Sequence, residues 1–191
     1  MDNKKEKIVQ SAIHVFSEKG IEKTKVSDIV KGAGIAQGTF YLYFPSKLAV
    51  MPSIAEVMVE RIVEEMHKQV NNECSFLDQL AQVVDVVFAI TKEYREVFAL
   101  IFAGLASSEY LSQWEKIYEP YYAWMREFLE QPKAIAVLRP SLDLEATAKL
   151  LIGLIESAAE QSYLYDHQDE QAAKSKQDEV LTFATHALCN Q

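Results

Sequence analysis

Apolar residues recur along almost the whole chain at three- and four-residue steps, the spacing that puts them on one face of an α-helix. Ile8, Ala12, Val15 and Phe16 make the first such stripe. They predict a helix over Lys4–Lys19, capped by Asp2 or Asn3 and ended by Gly20. Val26, Ile29 and Val30 predict a short second helix, broken by Gly32-Ala33-Gly34. Residues 37–44 predict a third, in which Phe40 and Phe44, four apart, form the buried pair. Gln37, Thr39, Tyr41 and Tyr43 then point elsewhere. A short helix that follows a glycine turn and offers this set to solvent suits the major groove of DNA.

Pro45 ends the third helix, and Ser46 is placed to cap a fourth that reaches about residue 70. Ile54, Val57, Met58, Ile62, Met66 and Val70 are its stripe, and its length would be roughly 35–40 Å. Pro52 falls in its first turns, where it removes a backbone bond to Leu48 and invites a kink. Ser75 caps a fifth helix over 76–92. A sixth, over 94–107, is apolar nearly all round and is expected in the interior. A seventh spans 110–130, with Pro120 kinking or splitting it; 131–143 is a connection. Asp143 caps an eighth helix reaching about residue 165, and a ninth ends near 188. No strand alternation or repeat interrupts the pattern. The expected fold class is all-α, about nine helices: an N-terminal three-helix helix-turn-helix DNA-binding domain over 1–47 and a larger helical domain over 48–191.

Charge sharpens that division. The net charge of −9 argues against a nucleic-acid partner until the chain is divided. Residues 1–47 carry eight lysines against five acids, a net +3, and the remainder carries −12. A duplex attracts the first segment through counterion release and repels the second, which orients the molecule. No apolar h-region follows MDNKKEKIVQ, and no run approaches a membrane span, so a cytoplasmic protein without a membrane partner is expected. Cys74 and Cys189 lie far apart and read as reduced thiols. His167, beside Asp166 and Asp169, reads as a surface loop residue. There is no Ser/His/Asp or Cys/His set, metal cluster, phosphate loop or nucleotide fingerprint. Neither an enzyme nor a cofactor or metal is expected.

The eighth helix sets Leu150, Gly153, Leu154 and Ser157 on one face, with small residues that let two helices approach closely. The ninth offers Phe183, Ala184 and Ala187. Two such helices from each of two chains make a four-helix interface. A lone short recognition helix binds weakly, whereas a dimer matches two half-sites about a helical turn apart. A homodimer is expected.

The order Phe16-x-x-x-Gly20, Asp28-Ile29-x-x-x-Ala33-Gly34-Ile35, Gly38-Thr39-Phe40-Tyr41-x-Tyr43-Phe44 and Ser46-Lys47 resembles the DNA-binding domain of the tetracycline-repressor (TetR) family. The resemblance implies that 37–44 is the recognition helix and 26–33 its support. Gln37 and Thr39 would face base edges, an amide pairing with adenine and a threonine methyl touching thymine. It further implies phosphate contacts by Tyr41 and Lys47, with Tyr43 at the groove edge, Gly38 within the reading helix, and Lys25 and Ser27 near the flanking backbone. Lys25 and Ala36 depart from the family pattern, which favours serine or threonine caps there.

In this family helices five to eight enclose an effector cavity. The residues expected to line it are Asp85, Phe88, Phe98, Phe102, Trp114, Tyr118, Tyr121 and Glu156. A carboxylate among them would need a partner, which a lipophilic cation could supply. Asp85 has a second reading, on a solvent-facing stripe with Asp78 and Gln82. The resemblance thus implies a repressor released from a palindromic operator by a small apolar or aromatic effector. The alternative is a regulator whose larger domain binds a protein partner or no ligand.

Overall fold

In the computed structural model, which describes residues 3–105, 111–166 and 169–190, nine α-helices and one isolated β-bridge form among those residues. For 102–105, 111 and 112 the description is of the backbone alone. Two compact units divide the chain, residues 1–58 with 94–117, and 59–93 with 118–191.

The first unit begins with α1 (Lys4–Lys19), whose N-cap Asn3 accepts the Glu6 N–H at 3.3 Å. Ile8, Ala12 and Phe16 are fully buried, and α1 packs on α2 (Val26–Ala33) and α3 (Gln37–Tyr43). Gly32 does not break α2 as the sequence suggested; it lies inside the helix. Only Gly34 leaves it, as a left-handed cap at φ 66°. Gly32 is required for a different reason. Ser11 Oγ donates to Ile29 O at 2.7 Å, and a Cβ on Gly32 would collide with that hydroxyl. α3 ends at Tyr43, one residue earlier than expected, with Phe44 as its C-cap.

The long fourth helix is also shorter than expected. Ser46 Oγ accepts the Ala49 N–H at 3.2 Å, but the chain first makes a 3-10 turn over Leu48–Val50. α4 (Met51–Gln69) follows, roughly 28 Å long at 1.5 Å per residue. Pro52 is its second residue; it has no N–H to give Leu48, so α-type pairing starts only beyond it. The first unit takes in the opening of α4, α6 (Arg95–Leu105), which packs on α1, and the start of α7 (Leu111–Ala134).

In the second unit α7 runs unsplit through Pro120, where the sequence suggested a kink or a split, and on past Pro132, where it suggested a connection. Each proline deletes one backbone bond, but Tyr121, Met125 and Leu129 are fully buried along one face and hold the helix in register. α5 (Phe76–Glu93) packs on α8 (Leu144–Glu160) and α9 (Glu170–Leu188). Asp143 caps α8 as expected, accepting Ala146 N–H at 2.8 Å, and a π-turn over Gln161–Tyr165 continues it. The core joins Val83, Val87 and Phe88 to Ile152, Ile155 and Ala184. Lys92 clips α5 to Glu170 of α9 at 2.7 Å, and a bridge between Leu138 and Cys189 ties down the end of α9.

Candidate nucleic-acid interface and sensing unit

Phe40 and Phe44 anchor α3, their rings 5.8 Å apart and buried. Burying Phe40 alone contributes roughly 1.5–3 kcal/mol. With those two fixed, helix geometry leaves the rest of α3 outside. Gln37 and Gly38 are exposed, Thr39 is half-buried, and Tyr41 and Tyr43 are 50% and 44% exposed. Sequence reasoning passed over Leu42, which is 83% exposed. It stands two residues from Phe40, about 200° round the helix and so opposite the buried face, a position a helical wheel would have shown.

The supporting helix is fixed by charge. Asp28 accepts the Lys25 N–H at 2.9 Å and pairs with Lys19 at 3.2 Å. These contacts, the backbone hydrogen bond foremost, hold its carboxyl below the usual range. Asp28 thus supplies the cap that Lys25 cannot. The neighbouring Thr24 hydroxyl does not cap this helix; it donates to Gly20 O at 2.8 Å. Lys25 and Ser27 lie exposed at this helix start. Lys47 is placed differently: its ammonium donates to Ile21 O at 2.6 Å and Thr24 O at 2.8 Å, binding the loop between α1 and α2. Two of its three donors are thereby occupied within the protein.

In the second unit a buried polar cluster centres on Glu156. Tyr118 Oη donates to it, 3.2 Å from Oε1 and 3.4 Å from Oε2. Burial raises the Glu156 carboxyl from 4.5 to about 8, the Tyr118 bond opposing the rise and the charge of Glu160 adding to it. Burial also lifts half-buried Glu160 to about 7. Tyr121 stacks on Tyr118 with centroids 6.3 Å apart, and its buried hydroxyl has no hydrogen-bond partner among the described residues. Lys149 Nζ lies 4.9 Å over the neighbouring Tyr122 ring.

A separate cleft of about 660 Å³ opens in the same unit, walled by Met66, His67, Val70, Phe76, Trp124 and Phe128. The Trp124 and Phe128 rings are nearly parallel, 5.3 Å apart. Of the eight residues expected to line an effector cavity, the seven with described side chains do not line this cleft. Phe88, Tyr118, Tyr121 and Glu156 are buried in the second unit; Phe98 is buried and Trp114 half-buried in the first. The Phe102 side chain and His167 lie outside the described residues. Asp85 is withdrawn from the cavity: it is exposed and 3.6 Å from Lys174, because it sits on the outer face of α5.

Residues 8–54 match the family described as bacterial regulatory proteins, tetR family, and 80–188 match the tetracyclin repressor-like C-terminal domain. The HTH-type transcriptional regulator YvdT of Bacillus subtilis is 38% identical over 185 residues, 97% of this chain and 95% of that one. The chain belongs to the TetR family. Two solved transcriptional regulators share its fold. FadR of Bacillus subtilis, in complex with stearoyl-CoA, superposes with a TM-score of 0.77 at 21% identity, covering 95% of this chain and 98% of that one. FadR of Thermus thermophilus, a TetR-family repressor in complex with lauroyl-CoA, gives 0.76 at 20% identity, covering 98% and 96%.

A TetR-family regulator of transcription carries its DNA-binding helix-turn-helix in the matched amino-terminal segment, here α2 and α3. On the other unit, Leu150 (74% exposed), Gly153, Leu154 and Ser157 follow one another along α8, and Phe183 (66% exposed) and Ala187 lie outside on α9. A Cβ on Gly153 would meet nothing. Ala184, expected on the same face, is instead buried; it follows Phe183 by one residue, and the turn of about 100° carries it inward. Among the described residues no group of His, Cys, Asp and Glu could hold a metal, and no helix is long and apolar enough to cross a membrane.

Proposed function

We propose that this regulator is a homodimeric repressor, released from a palindromic operator by a small apolar effector, with long acyl thioesters the first class to test. The observation that carries the reading is the outward set on α3, from Gln37 to Tyr43, held on two buried phenylalanines within a lysine-bearing segment. The aromatic cleft supports an apolar effector, as do the two acyl-CoA complexes among the structural relatives. By linkage, an effector that favours the conformer with mis-spaced reading heads weakens DNA binding by the same factor that DNA weakens effector binding.

The test is a fluorescence anisotropy titration on a duplex selected by the protein, repeated with stearoyl-CoA and lauroyl-CoA. Release by either thioester, but not by free CoA, is expected. Tight DNA binding indifferent to both would remove acyl thioesters as the effector class.

The Glu156 cluster favours a second reading, in which the effector is a lipophilic cation. A cation seated there must ionise Glu156, so its affinity would rise with pH up to about 8. The affinity of an uncharged ligand would not.

A further inference from the structure

We infer that Leu42 determines operator specificity by reading thymine 5-methyl groups in the major groove, with Gly38 leaving the space beside it clear. The inference rests on the DNA-binding reading above and adds a residue and a base chemistry to it. α3 has one outward ridge, opposite Phe40 and Phe44, and Gly38 and Leu42 occupy it four residues apart. A helical side chain leans towards the helix start, so Leu42 lies over the surface that Gly38 leaves bare. Tyr41 and Tyr43 flank this ridge and present their phenols to either side.

Gly38 is not there for the fold. Its φ is not positive, and an added Cβ would meet no atom within 4 Å, in contrast to Gly32, where Ser11 blocks any side chain. Its smallness faces outward only. Leu42 is likewise unused by the fold, at 83% exposure, yet stands between two exposed tyrosines on a segment of net charge +3. A leucine neither donates nor accepts a hydrogen bond. On the major-groove edges of unmodified DNA the apolar feature available to it is the C5-methyl of thymine.

The experiment uses the full-length protein and a duplex it selects from a random pool. Each thymine is replaced in turn by deoxyuridine, which removes the methyl and nothing else. The wild-type protein is expected to lose ~3–10-fold in affinity at one or two thymines per half-site, about the worth of burying a methyl group. Leu42→Ala should lose a similar factor on the thymine operator and be indifferent to deoxyuridine at those same positions, with an unchanged Tm. The inference is overturned if no deoxyuridine substitution weakens the wild type, or if Leu42→Ala keeps the full penalty. A penalty kept by Leu42→Ala and abolished by Thr39→Ser would assign the methyl to Thr39 instead. If no duplex is selected at all, the DNA-binding reading fails and takes this inference with it.

Discussion

Tyr118 and Glu156, 38 positions apart, meet in the interior of the second unit, where the phenol donates to a carboxyl that burial keeps protonated at neutral pH. In the unfolded chain Glu156 gives up its proton near 4.5, whereas in the folded protein it holds it to about 8. Its stabilising contribution is therefore complete below pH 4.5 and is lost as pH rises through that window to about 8. The slope is at most about 1.4 kcal/mol per pH unit. Glu156→Gln, which has no proton to lose, should gain in Tm relative to wild type between pH 5 and pH 8. A Tm difference that does not change with pH would refute a protonated Glu156.

Gly32→Ala should destabilise the first unit, because the new methyl collides with the Ser11 hydroxyl at the crossing of α1 and α2. Overpacking of this kind costs roughly 1–3 kcal/mol. Removing the hydroxyl leaves an ordinary gap, so Ser11→Ala in the same chain should recover much of the loss. Urea denaturation of the single and double variants reads this directly. A double variant no better than Gly32→Ala alone would place the clash elsewhere.

Lys47→Met keeps the aliphatic stem and deletes the ammonium. It should lower stability by about 1.5–3 kcal/mol, since Ile21 O and Thr24 O lose a charged donor. DNA affinity should fall on operator and non-specific duplex alike, because the loop leads into Lys25 and Ser27. If stability is unchanged and only the salt slope of binding falls, Lys47 contacts phosphate and the loop does not depend on it.

Phe183→Asp and Leu150→Asp place a charge on the exposed face of α8 and α9 and should shift the protein from dimer to monomer. Sedimentation velocity reads the change, and both variants should keep the helical circular dichroism of the wild type. Operator affinity should fall steeply, with affinity for one half-site retained. Two intact dimers would remove this face as the interface.

The helix-turn-helix was legible in the sequence because its information is local. Asn3, Val26, Phe40 and Ser46 act on residues three or four away, and the boundaries of α1 and α2 follow from them. Where reading went astray, a partner distant in sequence decided the matter. Gly32 looked like a breaker because Ser11, 21 positions back, is invisible to local spacing. The sequence also could not show that Lys47 holds two carbonyls, since they lie 23 and 26 positions upstream. Pro120 and Pro132 looked like interruptions because local propensity does not include the burial of Tyr121, Met125 and Leu129.

The sequence alone determined the helical class, the reading helix and its two phenylalanine anchors, since apolar periodicity and caps operate within a few residues. Only the tertiary structure decided which aromatics wall the open cleft, that Asp85 faces Lys174 in solvent, and that Glu156 is sealed beside Tyr118. Burial depends on what packs across from a side chain, and residues far away along the chain supply that surface.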